Sequence, residues 1–285
     1  MEIGLKGNRV ALLLPNGFSH FDGKHLFIVF QTMRWVALVV DQNKILAFEE
    51  YEYHIDKEAD WVIRFEEWKN FSHLFKFSYT NVSYSYLTTH QIVFPVDFIN
   101  LDRDLFYFSA LFRALPYQNI IWQKQKIGEP ALLEILQPIP EKLEKNLELQ
   151  FPNAQNIRYL SVADVLYKRY VDIKKDQIIL MVSDTMFALL VLEKGNFKAY
   201  NVFDYMLEDD IYYHVFNLCN QVGLVYNRAH LSIVYQTSTF LRLYNFFNDY
   251  FASVEEINPL DILTDPCITT SVSRNNQLLF MCSQV

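Results

Sequence analysis

One pattern occurs twice in this chain, 152 residues apart, and it limits the possible folds more than any other feature. Residues 26–53 and 178–205 align without a gap. Of these 28 positions, 16 are apolar in both copies and 8 are polar or glycine in both, while only Leu38/Leu190, Val39/Val191, Ala47/Ala199 and Tyr53/Tyr205 are identical. The likeness therefore lies in patterning rather than identity. Each copy reads as a strand, a tight polar break, a second strand, a turn and a third strand. The breaks are Gln31-Thr32 and Ser183-Asp184, and the turns are Asp41–Lys44 and Lys194–Asn196. A period this long is not that of a solenoid. It predicts two similar α/β halves, each opening with a three-stranded antiparallel unit, with boundaries at 1–172 and 173–285.

The segments after each copy support that reading. Behind the first, Trp61, Phe65, Trp68 and Phe75 recur near helical spacing, with Asp56 as candidate N-cap, and strand-forming residues fill 79–99. The region 105–136 is mixed: "LFYFSALF" fits helix or strand, while "NIIWQKQ" and "PALLEIL" look extended. A helix is expected over 138–152, with Ile139, Leu143 and Leu147 as its stripe and Pro140 in its first turn. The strand "NIRYL" comes next, then a short helix opened by Ser161 and Asp164 in capping-box spacing. After the second copy come a helix over 207–222 closed by Gly223, a strand at 231–235 and a helix over 238–251. Beyond 253 the chain is polar, with one possible strand at "QLLFMC".

Composition removes several functions. The net charge of −8 and the absence of any run of basic residues argue against a nucleic-acid or anionic-membrane surface. Three cysteines, Cys219, Cys267 and Cys282, stand far apart, and no local zinc spacing occurs, so no metal is expected. No apolar run reaches the length of a membrane span, and the N-terminus lacks a secretory pattern. The expectation is a soluble, cytoplasmic protein. Glycine is scarce, at 7 residues in 285 against an average usage of about 7%. Phosphate loops need glycine to bring backbone amides up to the oxygens, and neither glycine-rich nucleotide motif is present.

Two halves of β-β-β-α-β-α order resemble the actin-like ATPase superfamily, with its duplicated ribonuclease-H-like domain. The stretch "NVFDYMLEDDIYYHVFNLCNQVGL" (201–224) and the upstream "LQFPNAQNIRYLSVADVL" (149–166) make the chain similar to an uncharacterised Bacteroidetes family with an actin-like ATPase fold. The resemblance spans roughly residues 20–255. It implies an α/β fold of two ribonuclease-H-like halves in an actin-like ATPase arrangement, with mixed sheets flanked by helices.

In ATP-binding members of the superfamily each half carries a hairpin Asp-x-Gly followed by a small hydroxyl residue. The glycine opens the backbone to phosphate, and the aspartates organise hydrated magnesium. The matching positions here are Gln31-Thr32-Met33-Arg34 and Ser183-Asp184-Thr185-Met186. Asp184, Thr185 and Thr32 are the candidate cofactor-binding residues if a nucleotide binds at all. Where a Gly-Gly pair would face the nucleoside, this chain has Tyr235-Gln236-Thr237. The altered loops make Asp184 and Thr185 expected turn formers, and no cofactor is expected.

Other chemistry finds no support in the residues. The first strand, "HLFIVFQTM", lacks the carboxylate a ribonuclease-H-type nuclease needs. The pairs Glu49-Glu50, Glu66-Glu67, Asp209-Asp210 and Glu255-Glu256 are neighbours in sequence, which does not supply a glycosidase's spacing across a cleft. Asp209 and Asp210 are expected to complement a helix dipole, and His214 to pack among aromatics. No serine or cysteine has a catalytic neighbourhood. The reading is a non-catalytic, pseudo-ATPase scaffold or protein-interaction module that binds an unidentified protein or itself. The alternative is an ATP/Mg-binding switch with non-standard loops.

Overall fold

The computed structural model describes residues 2–5, 8–13, 20–31, 34–41, 44–52, 61–96, 119–127, 133–170, 172, 174–183, 185–235 and 240–257. In chain order the elements begin with β1 (Glu2–Leu5), β2 (Asn8–Leu13), β3 (His25–Phe30), β4 (Arg34–Asp41) and β5 (Lys44–Glu52). Next come α1 (Trp61–Phe71), β6 (Asn81–Tyr86), β7 (Ile92–Pro95), β8 (Ile120–Ile127) and β9 (Leu133–Pro140). They are followed by α2 (Glu141–Gln150), β10 (Asn156–Tyr159), α3 (Val162–Tyr170), β11 (Gln177–Val182), β12 (Met186–Glu193) and β13 (Asn196–Asp204). The last are α4 (Glu208–Val222), β14 (His230–Tyr235), α5 (Phe240–Phe247) and β15 (Ser253–Glu256). The chain divides into two compact units, with the break between Ser161 and Val162.

The repeat is present residue for residue. Every boundary of β11, β12 and β13 equals that of β3, β4 and β5 plus 152. Even the irregularity matches: the register shifts between Val39 and Val40 in one unit and between Val191 and Leu192 in the other. In each unit a parallel strand then joins the first strand of the trio, with His25 opposite Asn81 and Gln177 opposite His230. A second parallel strand lies on the outside, β10 on β6 and β15 on β14. The sheets therefore run β5-β4-β3-β6-β10 and β13-β12-β11-β14-β15, and the first unit adds β2 and β1 beyond β5. That order is the one a ribonuclease-H-like half requires.

Each sheet buries one face under helices. In the first unit Trp61, Phe65 and Trp68 of α1 and Leu143 and Leu147 of α2 pack on Leu26, Ile28, Phe30, Trp35 and Tyr84. In the second, Ile211, Val215, Leu218 and Cys219 of α4 and Leu243 and Phe247 of α5 cover Ile178, Leu180, Val182, Phe187 and Ile233. Apolar burial of this extent is the main force closing each unit. A smaller sheet, β7-β9-β8, belongs to the first unit.

Several elements differ from the sequence reading. The helix expected over 138–152 starts at Glu141, and Ile139 lies in β9 instead, one residue before its end and paired with Ile121. Pro140 has ψ 118°, so the chain is still extended there. Its ring suits the threshold of a helix, and Ile139 reaches the same core from a strand. Ser161 does not cap α3: its N–H donates to Gln125 Oε1 at 2.5 Å, and its buried hydroxyl has no hydrogen-bond partner among the described residues. The strands β1 and β2 form where the sequence carries no strong strand signal, although Lys6-Gly7-Asn8 repeats the Lys194-Gly195-Asn196 turn triplet. In the latter, φ is 49° at Lys194 and 77° at Gly195, the left-handed pair of a two-residue hairpin. Asp56, "LFYFSALF" and "QLLFMC" lie outside the described residues.

Candidate functional site

The positions singled out by the sequence fall on the first hairpin of each unit. Both hairpins close identically. The Gln31 N–H donates to the Arg34 carbonyl at 3.1 Å, and the Ser183 N–H to the Met186 carbonyl at 2.8 Å. Of the three candidate cofactor-binding residues, Thr185 is described; Thr32 and Asp184 are not. The half-buried Thr185 accepts, through its carbonyl, the Tyr205 N–H at 3.0 Å.

Aromatic side chains tie down the strand end at each turn. Trp35 Nε1 donates to the Gln31 carbonyl at 3.1 Å, and the Tyr205 hydroxyl to the Ser183 carbonyl at 2.6 Å. Trp35 sits among Phe30, Tyr51, Trp61 and Trp68, while Phe187, its counterpart 152 residues on, contacts Phe203, Tyr205 and His214. Both rings are wholly buried. Their bulk is committed to the cores, where it anchors the strand that leaves each turn.

Arg34 and Met186 are the first residues of β4 and β12, immediately after the two turns. Arg34 is held in two ion pairs, Nε to Glu50 at 2.7 Å and Nη2 to Glu52 at 3.0 Å. The guanidinium is thereby committed to two carboxylates of β5. Met186 is buried. Tyr235 ends β14 opposite Val182, whereas Gln236 and Thr237 lie outside the described residues.

Two groups flank the second hairpin. His214 stacks on Phe203 with ring centroids 4.1 Å apart, the packing role its sequence context suggested. Burial pushes its imidazole below the usual histidine range, against the opposing pull of Asp210. Asp210 accepts the N–H groups of Met206 and Leu207 at 2.9 and 3.0 Å and is held below the ordinary carboxylate range by those bonds. It thus caps the start of α4, a more specific role than the dipole complement expected of it. Gly223, with φ 72°, closes that helix.

Among the described residues no group of three or more His, Cys, Asp or Glu side chains could share a metal ion. The Cys219 thiol is buried and pushed up to about 12, so it is no nucleophile near neutral pH. An open pocket of about 340 Å³ lies at the C-terminal end of α4, between Asn220 and Asn227. Asn220, Gly223, Leu224, Val225, Tyr226 and Asn227 line it. Sequence reasoning missed the role of Glu49, a wholly buried carboxylate on β5. Trp68 Nε1 donates to it at 2.7 Å and the His73 N–H at 2.9 Å. Its only trace in the sequence is an acid directly after the apolar run Ile45–Phe48. No helix among the described residues is long and apolar enough to cross a membrane.

Comparison with known proteins agrees with this geometry. The model of a family described as "Protein of unknown function (DUF3822)" matches residues 17–254, and the chain belongs to that family. A Bacteroides thetaiotaomicron protein with an actin-like ATPase fold and unknown function superimposes with a TM-score of 0.72 at 15% identity, over 93% of this chain and 96% of that one. The PilM-PilN type IV pilus biogenesis complex superimposes with a TM-score of 0.57 at 9% identity, over 91% of this chain and 97% of that one. The fold is therefore the actin-like ATPase fold. No curated protein matches the chain.

Proposed function

We propose that this member of the DUF3822 family is a non-catalytic, actin-like scaffold or protein-interaction module. The observation that carries the reading is Arg34, the first residue of β4 after the first turn. Its guanidinium is clamped by Glu50 and Glu52, so the first turn offers a triphosphate neither glycine amides nor uncompensated positive charge. The second turn keeps Asp184 and Thr185 but likewise has no glycine. A structural neighbour is a complex of two pilus-biogenesis proteins, so partner binding is a use to which this fold is put.

Isothermal titration of the full chain with Mg-ATP tests the reading. The expected result is no saturable heat at millimolar nucleotide. Micromolar binding that disappears in Asp184→Ala would replace the scaffold with an ATP/Mg-dependent switch built on Asp184 and Thr185. A cytoplasmic site of action is part of the proposal and would be checked by cell fractionation.

A further inference from the structure

The two units carry a serine at the same place in their sheets and set opposite charges beside it. Ser83 of β6 lies between Phe27 of β3 and Arg158 of β10. In the second unit Ser232 of β14 lies between Ile179 of β11, the repeat counterpart of Phe27, and Glu255 of β15. There the serine hydroxyl donates to the Glu255 carboxylate at 2.7 Å. In the first unit Arg158 Nε donates to Ser83 Oγ at 3.4 Å, and His25 Nε2 lies 2.9 Å from the same oxygen. The repeat counterpart of His25 is Gln177, whose side-chain oxygen is engaged by the Asp172 N–H at 2.7 Å. The pairing of imidazole and guanidinium on one hydroxyl thus belongs to the first unit alone.

What each group can donate fixes the hydrogens. A guanidinium only donates, and Ser83 is wholly buried, so its hydroxyl hydrogen goes to His25 Nε2, the remaining partner among the described residues. The imidazole is then neutral, with its own hydrogen on Nδ1. Burial, reinforced by the charge of Arg158, lowers its pKa to about 4, which agrees with that state. Near neutral pH the cluster therefore holds one positive charge, on Arg158. Arg34, Arg64 and Arg242 each bond to a carboxylate, whereas Arg158 has none among the described residues. Lys24 and Asp41, next to His25 at the strand ends, are paired with each other at 2.6 Å. Arg158 is exposed and His25 half-buried.

We propose that His25, Ser83 and Arg158 form a binding site for a carboxylate group. Charge selects the ligand: one guanidinium and a neutral N–H balance a monoanion, while a phosphate dianion keeps uncompensated charge. Arg158 contributes the Nη groups left over from its bond to Ser83, and charge-assisted bonds from a guanidinium to a carboxylate are among the stronger ones. His25 contributes Nδ1–H. Ser83 is the positioning residue, holding Arg158 by Nε and His25 by Nε2. The site lies at the start of β3, at the opposite end of that strand from the Gln31 turn. An acidic side chain of a partner protein and a free small acid share this chemistry.

The inference deepens the interaction-module reading and, where the carboxylate is a partner's, rests on it; Mg-ATP titration tests that reading, while the probes here contain no nucleotide. Acetate and a blocked Ala-Glu-Ala peptide are titrated into the full chain near neutral pH, with sodium chloride exchanged for ligand to hold ionic strength constant, and the His25 imidazole signals are followed by NMR. The expected result is a saturable shift with both. Tighter binding of the peptide assigns the carboxylate to a protein segment and tighter binding of acetate to a small acid; either order supports the site. Blocked Ala-Gln-Ala should leave the signals in place. Arg158→Gln is expected to weaken binding at least tenfold, Arg158→Lys to retain part of it, and Arg158→Glu, which copies the second unit, to abolish it. Arg158 is exposed, and circular dichroism would confirm that the variants fold. No saturable shift at millimolar ligand, a shift unchanged in Arg158→Gln, an equal effect of Ala-Gln-Ala, or tighter binding of inorganic phosphate than of acetate would each overturn the proposal.

Discussion

The indole of Trp68 donates to the carboxylate of Glu49 at 2.7 Å, and neither side chain is exposed to solvent. The same carboxylate takes the N–H groups of His73 and Leu74 at 2.9 and 3.3 Å, fastening the short turn after α1 to strand β5. Removing the acceptor takes the partner from Trp68 Nε1 and from the His73 and Leu74 N–H groups at once. Glu49→Ala is expected to destabilise the protein by about 3 kcal/mol in urea denaturation. Asn201, at the matching place in the second repeat, is half-buried and accepts a single N–H from its neighbour. Asn201→Ala should cost about 1 kcal/mol or less.

The same carboxyl makes stability depend on pH. Burial raises its pKa in the folded protein above the ordinary value of 4.5, outweighing the hydrogen bonds from Ser72, His73, Leu74 and Trp68. The folded state therefore keeps this proton at a pH where the unfolded chain has released it. The resulting stabilisation is complete below 4.5 and is lost as pH climbs through the raised folded value. Urea midpoints of the wild type and Glu49→Gln, compared from about pH 4 to about pH 8, should shift against the wild type as pH rises.

Arg34 holds two carboxylates that would otherwise repel each other beside the first hairpin. Arg34→Ala should destabilise by about 1–2 kcal/mol at low salt, because the pair with Glu50 is largely shielded from water while Glu52 is more open. Repeating the denaturation at about 1 M salt should shrink the difference.

The hairpin between β12 and β13 asks for two residues at positive φ, and Lys194 adopts 49° with a side chain attached. Lys194→Asn should stabilise by a few tenths of a kcal/mol to about 1 kcal/mol, since Asn tolerates the left-handed region. Gly195→Ala, at φ 77°, should destabilise by about 1 kcal/mol. Thermal unfolding of the two variants would check both signs.

Cys219 is buried, with its thiol pushed up to about 12. Iodoacetamide at about pH 8 should leave it unmodified in the folded protein and label it fully in urea, as read by mass mapping of its peptide.

Much of the fold was legible because continuous apolar runs bounded by polar turns mark buried strands, whatever the identities of the residues. The offset of 152 related the two trios, whose bounds differ by that number, and Gly223 marked its helix end through the one residue type that enters the left-handed region without strain. Ile139 was misplaced because its spacing to Leu143 and Leu147 fits a helix, while a strand ending one residue before that helix delivers it to the same core. Ser161 matched a capping motif by spacing alone, yet its N–H was drawn to Gln125, a partner 36 residues away in the chain. Of the candidate site, the loss of glycine and of the first aspartate could be read directly. The clamp on Arg34 could not, since it requires knowing that β4 and β5 pair with Arg34 beside Glu52.

The sequence by itself determined the duplicated strand units, their turns and the absence of a glycine-built phosphate loop, because these depend on local periodicity and backbone freedom. Only the tertiary structure decided that Glu49 is buried with its donors and that Arg34 is neutralised. It also decided that β5 gains a neighbour in β2 while β13 ends its sheet among the described residues. Those outcomes depend on which distant segments share a sheet, and hydrogen bonds across strands carry no trace in the spacing of either one.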